Sequence, residues 1–197
     1  MGLIQYFQCI IPFIRISLLL ESICFNRREN YAYKMSLIDY YESSKSDFEQ
    51  KTINQIVSFA GDDGKLIDGG SSQKELRKIF RLIQTQKIVE YSRYCLDKPF
   101  DDSGLVLQDL VNEIGRRLGF TVKDGFYQGS TKKNGVDGIW VNKEGFSILV
   151  ETKVTAKFPI NLDTTGGYRK KLMLTNENSS ILYVVGRNDT ISLERQI

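Results

Sequence analysis

Between Met35 and Leu118 apolar residues recur at spacings of three and four, and beyond Phe120 the spacing shortens to two. The first pattern predicts helices and the second strands. Phe48, Thr52, Ile56 and Phe59 form the earliest helical stripe, ended by Gly61 and the Asp62-Asp63-Gly64 turn signal. Ser72 and Glu75 make a capping-box pattern ahead of the stripe Leu76, Ile79, Phe80, Ile83. A further helix is expected from Gln86 to Leu96, with Ile88, Tyr91 and Tyr94 along it. Residues 35–100 therefore predict a small helical bundle or lid, and no catalytic constellation falls within them.

The breaker-rich PFDDSG of Pro99 to Gly104 separates this region from residues 101–197, with Asp102 or Ser103 as candidate caps. A helix should follow from about Leu105 to Leu118. It would place Leu107, Leu110, Val111, Ile114 and Leu118 on one face and Gly119 at its stop. At 100° per residue Glu113 lies on the flank of that stripe. Strands are expected at Phe120–Lys123, Val136–Asn142, Phe146–Val154 and Ile181–Gly186. Between the last two, Asn161 to Thr175 reads as a loop passing into a short basic helix with Tyr168 and Leu172 turned inward. The order is helix, three strands, helix, strand, an α/β (mixed α+β) arrangement. The final TISLERQI opens another helix and stops within its second turn, so an incomplete domain is expected.

Composition changes this picture mainly by exclusion. The chain has 197 residues and a net charge of +3, which permits a polyanionic partner without requiring one. It contains no histidine, which removes Ser-His-Asp and Cys-His chemistry and His-ligated metal centres. Acid–base work must fall to carboxylates, lysines, tyrosines or metal-activated water. Cys9, Cys24 and Cys95 fit neither a disulfide framework nor a C-x-x-C site, so a reducing cytoplasm is the expected compartment. The apolar run from Cys9 to Phe25 is interrupted by Pro12, Arg15 and Glu21, whereas a spanning helix needs about 20 predominantly apolar residues. It also lacks a basic n-region and a small-residue cleavage site. Met35 is expected to be the natural start, with residues 1–34 a non-native or disordered extension and no stable membrane association.

The stretch GVDGIWVNKEGFSILVETK, Gly135 to Lys153, carries the candidate chemistry. Two β-rich runs flank the polar turn NKEG, which predicts an antiparallel hairpin. A three-residue loop, Lys143 to Gly145, pairs Val141 with Ser147, Ile139 with Leu149 and Asp137 with Glu151. The two carboxylates would then stand roughly 4.5 to 5.5 Å apart at Cβ; a two-residue loop would shift the register by one. Alternation puts Glu151 and Lys153 on one face and Val150 and Thr152 on the other. Trp140 falls opposite Ile139, in the core. Two close carboxylates repel unless a cation lies between them, and oxygen ligands with open water positions suit Mg²⁺.

At these residues the chain resembles the PD-(D/E)XK, or restriction-endonuclease-like, nuclease superfamily. Asp137 and Glu151-Thr152-Lys153 match its signature, with Val136 where the family usually has proline, and Glu113 stands where many members carry a helix acid. The resemblance spans about Gly104 to Gly186. It implies a core of order α-β-β-β-α-β, a mixed sheet flanked by helices. It also implies Mg²⁺-dependent hydrolysis of double-stranded DNA, in restriction–modification or related defence. Asp137 and Glu151 would hold the metal, Lys153 would position the nucleophile and Glu113 would assist. Lys132 and Lys133, and Arg169, Lys170 and Lys171, are candidate phosphate contacts, with solvated surface an equal alternative. Arg116 and Arg117 are expected as surface cations. The competing expectation is a non-catalytic DNA-binding or assembly module of the same fold, and a homodimer is left open.

Overall fold

Short helices open the described chain, two of them starting at reciprocal capping boxes. A computed structural model describes residues 35–61, 64–127, 135–154, 162–173 and 178–186. Helix α1 (Leu37–Ser43) starts with a reciprocal capping box between Ser36 and Asp39, and α2 (Lys45–Gln50) follows after Ser44. Helix α3 (Ile53–Phe59) starts at Thr52, whose hydroxyl accepts the Gln55 amide while Gln55 returns to the Thr52 amide. The stripe expected to run unbroken from Phe48 to Phe59 is thus split in two. Thr52 is a cap rather than an inward-facing residue, and Phe59 ends 49% exposed.

Helix α4 (Ser71–Leu82) corrects the second expectation. Its N-cap is Gly70, with no side-chain cap bond. Ser72 Oγ donates instead to the Ala60 carbonyl (3.1 Å), and Glu75 accepts the Gly61 amide (3.0 Å). The capping-box pair therefore ties α4 to the turn after α3. Helix α5 (Thr85–Asp97) extends the expected Gln86–Leu96 by one residue at each end and buries Ile88, Tyr91 and Cys95. Burial pushes the Cys95 thiol up to about 12. The Cys95 peptide should accordingly escape iodoacetamide in the folded protein at mildly alkaline pH and be alkylated after denaturation, as peptide mass spectrometry would read directly.

Helix α6 (Ser103–Arg117) is the pivot. Asp102 precedes it with a positive φ of 64° and makes no side-chain cap. At its end Gly119, with φ 92°, donates to the Arg116 carbonyl while Phe120 donates to Gly115, a Schellman stop at the expected glycine. Leu118, past the last turn, is 67% exposed rather than on the buried face. Val106 to Glu113 are all buried, because helices cover one side of α6 and the sheet the other.

The sheet contains β1 (Thr121–Asp124), β2 (Gly138–Val141), β3 (Ser147–Lys153) and β4 (Ser179–Val185) in the order β1-β2-β3-β4. The first three are antiparallel neighbours and β4 runs parallel to β3, reached through helix α7 (Leu162–Met173). This is the mixed α/β architecture expected, with order α-β-β-β-α-β after a helical region. One apolar cluster extends from Leu37 in α1 through α6 to Trp140 and Val150 in the sheet. Residues 35–100 are consequently not a separable bundle or lid: Ser36–Ile197 form one unit, with no boundary near residue 100. Among the described residues no helix is long and apolar enough to cross a membrane. Residues 1–34, Lys132, Lys133 and the terminal TISLERQI lie outside the described residues.

Candidate active site

The hairpin turn fixes where the acidic residues fall. Asn142 donates to the Phe146 carbonyl (3.0 Å) and accepts the Phe146 amide on Oδ1 (2.8 Å), while Gly145 takes φ 84°. That closes a three-residue loop and sets the expected register, Val141 opposite Ser147 and Ile139 opposite Leu149. The ladder ends at Gly138 opposite Val150. One residue further, the Asp137 amide also donates to Val150 O (2.9 Å), so two residues of one strand face one of its partner. Such a bulge re-aims a side chain.

The bulge corrects the expected pairing, since Asp137 is not a plain ladder partner of Glu151. Its Oδ2 accepts the Thr152 amide (2.6 Å) and the Thr152 hydroxyl (3.0 Å). Glu151 and Lys153, half-buried on their shared face of β3, are joined at 2.5 Å through Glu151 Oε1. The three residues still act on one another electrostatically. Burial raises the Asp137 carboxyl above the usual range, opposed by Thr152 and the Lys153 charge. Glu151 is raised by burial and then by the Asp137 charge, with Lys153 opposing. Both acids are therefore pushed toward the neutral form, the condition of a site short of positive charge.

Glu113 is placed elsewhere. It is buried on α6 and taken up by Arg117 Nε (3.0 Å) and Arg116 (3.6 Å). Arg117 is no surface cation, because it also donates to Thr85 Oγ1 and to the Phe80 and Ile83 carbonyls at the end of α4. Arg116 bonds Asp124 at 2.5 Å. The helix residue that reaches Asp137 is the preceding one, Asn112, which sequence reasoning missed. Its Nδ2 donates to the Asp137 carbonyl (2.9 Å) and its Oδ1 accepts Trp140 Nε1 (2.9 Å). An asparagine inside an apolar helical run was the available signal, because buried polar residues are bonded to something.

Helix α7 approaches from the side of Gly135, where an added Cβ would lie 3.0 Å from the Tyr168 hydroxyl. Tyr168 is half-buried as expected, while the Leu172 side chain lies outside the description. Arg169, Lys170 and Lys171 of the basic cluster are all exposed, and Arg169 also donates to Ser179 Oγ on β4 (3.3 Å). Among the described residues no group of three or more Asp, Glu, Cys or His side chains is placed to hold a metal. The two acids that the resemblance would give to a metal are Asp137 and Glu151. Of their oxygens, Asp137 Oδ2 is engaged by Thr152 and Glu151 Oε1 by Lys153. As a donor chemistry, two carboxylates suit Mg²⁺, which keeps several waters and takes one or two carboxylates plus substrate phosphate. No protein-family model, curated protein or solved structure matches the chain.

Proposed function

We propose that the chain is a Mg²⁺-dependent endodeoxyribonuclease that hydrolyses double-stranded DNA in the cytoplasm, in restriction–modification or a related defence. The observation that carries this reading is the end of the β2–β3 hairpin, where the Asp137 carboxylate is bonded to Thr152, between Glu151 and Lys153 on β3, with the Glu151–Lys153 pair at 2.5 Å and both acids raised. The order α6-β1-β2-β3-α7-β4 around that hairpin is the one the superfamily resemblance implies, which supports it further.

Asp137 and Glu151 would hold the metal, and Mg²⁺, when bound, would supply Lewis-acid polarisation of a phosphoryl oxygen. Lys153 has two tasks at its ammonium: it opposes the rise of the Glu151 carboxyl and holds the attacking water by hydrogen bond as charge develops at phosphorus. Water oxygen bonds to phosphorus and gives up its proton to solvent, the P–O bond to the departing sugar oxygen breaks, and that oxygen leaves with a proton from solvent. Thr152 fixes the Asp137 carboxylate so that no reorientation is needed during the step. Lys170 and Lys171 on α7 present charge to the DNA backbone.

Incubation of supercoiled plasmid with the purified protein tests this. Nicked and linear products should form with Mg²⁺ and not with chelator. DNA retained in a mobility shift but uncut under every divalent metal would instead establish the non-catalytic binding module.

A further inference from the structure

We infer that Asn112 is a positioning residue for the metal-holding carboxylate of Asp137, oriented for that task by the indole of Trp140. This rests on the nuclease reading above. Asn112 is fully buried (0% exposed) between α6 and the sheet, where an unbonded amide would be costly. It is bonded on both sides: Nδ2 to the Asp137 carbonyl and Oδ1 from Trp140 Nε1, each at 2.9 Å.

The direction of the amide is settled by chemistry rather than by assignment of its oxygen and nitrogen. An indole N–H can only donate, so the oxygen of Asn112 must face Trp140. Its NH₂ then faces a carbonyl, which can only accept. Trp140 thereby fixes which end of Asn112 meets Asp137.

The same carbonyl accepts the Gly125 amide (2.9 Å), and the Asp137 amide is spent on Val150. Both peptide groups of the bulge are held, and the side chain is held by Thr152. The space around this clamp is filled. A Cβ on Gly138 would lie 2.1 Å from Asn112 Oδ1, and one on Gly125 would lie 2.3 Å from the Val136 carbonyl. The glycines at 125 and 138 are what allow the strands and Asn112 to close on Asp137. Asn112 touches no reacting atom, so its effect must pass through the direction of the Asp137 carboxylate.

The test uses Asn112→Leu, similar in size without hydrogen bonds, and Trp140→Phe, which keeps an aromatic ring and removes the donor. Mn²⁺ binding by electron paramagnetic resonance, Mg²⁺-dependent plasmid cleavage and DNA affinity are measured together with thermal unfolding. Residues that hold metal ligands in place typically contribute about 10- to 100-fold to metal affinity or activity. Asn112→Leu should lose about that much in Mn²⁺ affinity and turnover with DNA affinity unchanged, and Trp140→Phe should lose less in the same direction. If Asn112→Leu does not fold, Trp140→Phe carries the test alone. Wild-type metal affinity and turnover in a folded variant would overturn the positioning role while leaving the nuclease reading intact. A wild-type protein that binds no Mn²⁺ and cuts no DNA would overturn that reading, and this inference with it.

Discussion

Asp137→Ala and Lys153→Ala are each expected to abolish detectable plasmid cleavage while leaving DNA affinity close to wild type. The two losses have different routes. Asp137→Ala removes one of the two carboxylates proposed to hold the metal, and among the described residues no group of three or more candidate ligands would make up for it. Lys153→Ala removes the cation 2.5 Å from Glu151 and the charge that opposes the raised Asp137 carboxyl. Both acids should then shift further toward neutrality, and the water they help to place loses its hydrogen-bond partner. Deleting one preorganised charge-stabilising group typically costs about 10²–10³ in turnover. The compounded effect on the acids puts Lys153→Ala at the upper end. Lys153→Arg should not restore the rate, because a planar guanidinium is a poor substitute for a compact ammonium. Single-turnover cleavage with DNA binding measured in parallel checks this. Full cleavage by either alanine variant would remove the residue from the mechanism.

What the sequence displayed and what it hid follow from the range of the interactions involved. The β2–β3 register was readable because Asn142 and Gly145 set it locally, through a loop of three residues. Helix α6 and its stop were readable because Gly119 adopts the left-handed conformation that helix ends favour. The choice between Asn112 and Glu113 was not readable. Adjacent residues differ by 100° around a helix, and which of them faces the sheet depends on how α6 is rotated against Trp140. Gly115 decides that rotation, since any Cβ there would lie 2.5 Å from the indole. The bulge at Asp137 was hidden for a similar reason. Strict alternation is a property of an unbroken ladder, and the ladder breaks where Gly125, Asn112 and Thr152 compete for the same residue. The Ser72–Glu75 capping pattern was local and still misled, because the turn at Gly61 offered both side chains nearer partners.

Arg77→Ala is expected to be the most destabilising single change in the helical half. Arg77 of α4 binds both oxygens of Asp109 on α6, Nε to Oδ2 at 3.0 Å and Nη2 to Oδ1 at 2.8 Å. The Tyr127 hydroxyl donates to the same carboxylate, and the guanidinium lies over the Tyr127 ring. The Asp109 side chain is 1% exposed, so removing Arg77 leaves a carboxylate buried without its counter-ion. Breaking such a pair costs about 3–5 kcal/mol, a large share of the roughly 5–15 kcal/mol that holds a domain together. The loss should depend on pH in a defined direction. Burial already raises the Asp109 carboxyl, with Arg77 the chief opposing influence, so the variant raises it further. A carboxyl whose folded value exceeds its unfolded value binds protons more tightly when folded. Stability then falls as pH rises from the unfolded value, about 4, through the raised folded value. Urea midpoints for Arg77→Ala should accordingly approach those of the wild type on mild acidification and separate from them toward neutrality. A gap that stays constant across this pH range would show that the cost lies in lost packing over Tyr127, not in the stranded charge.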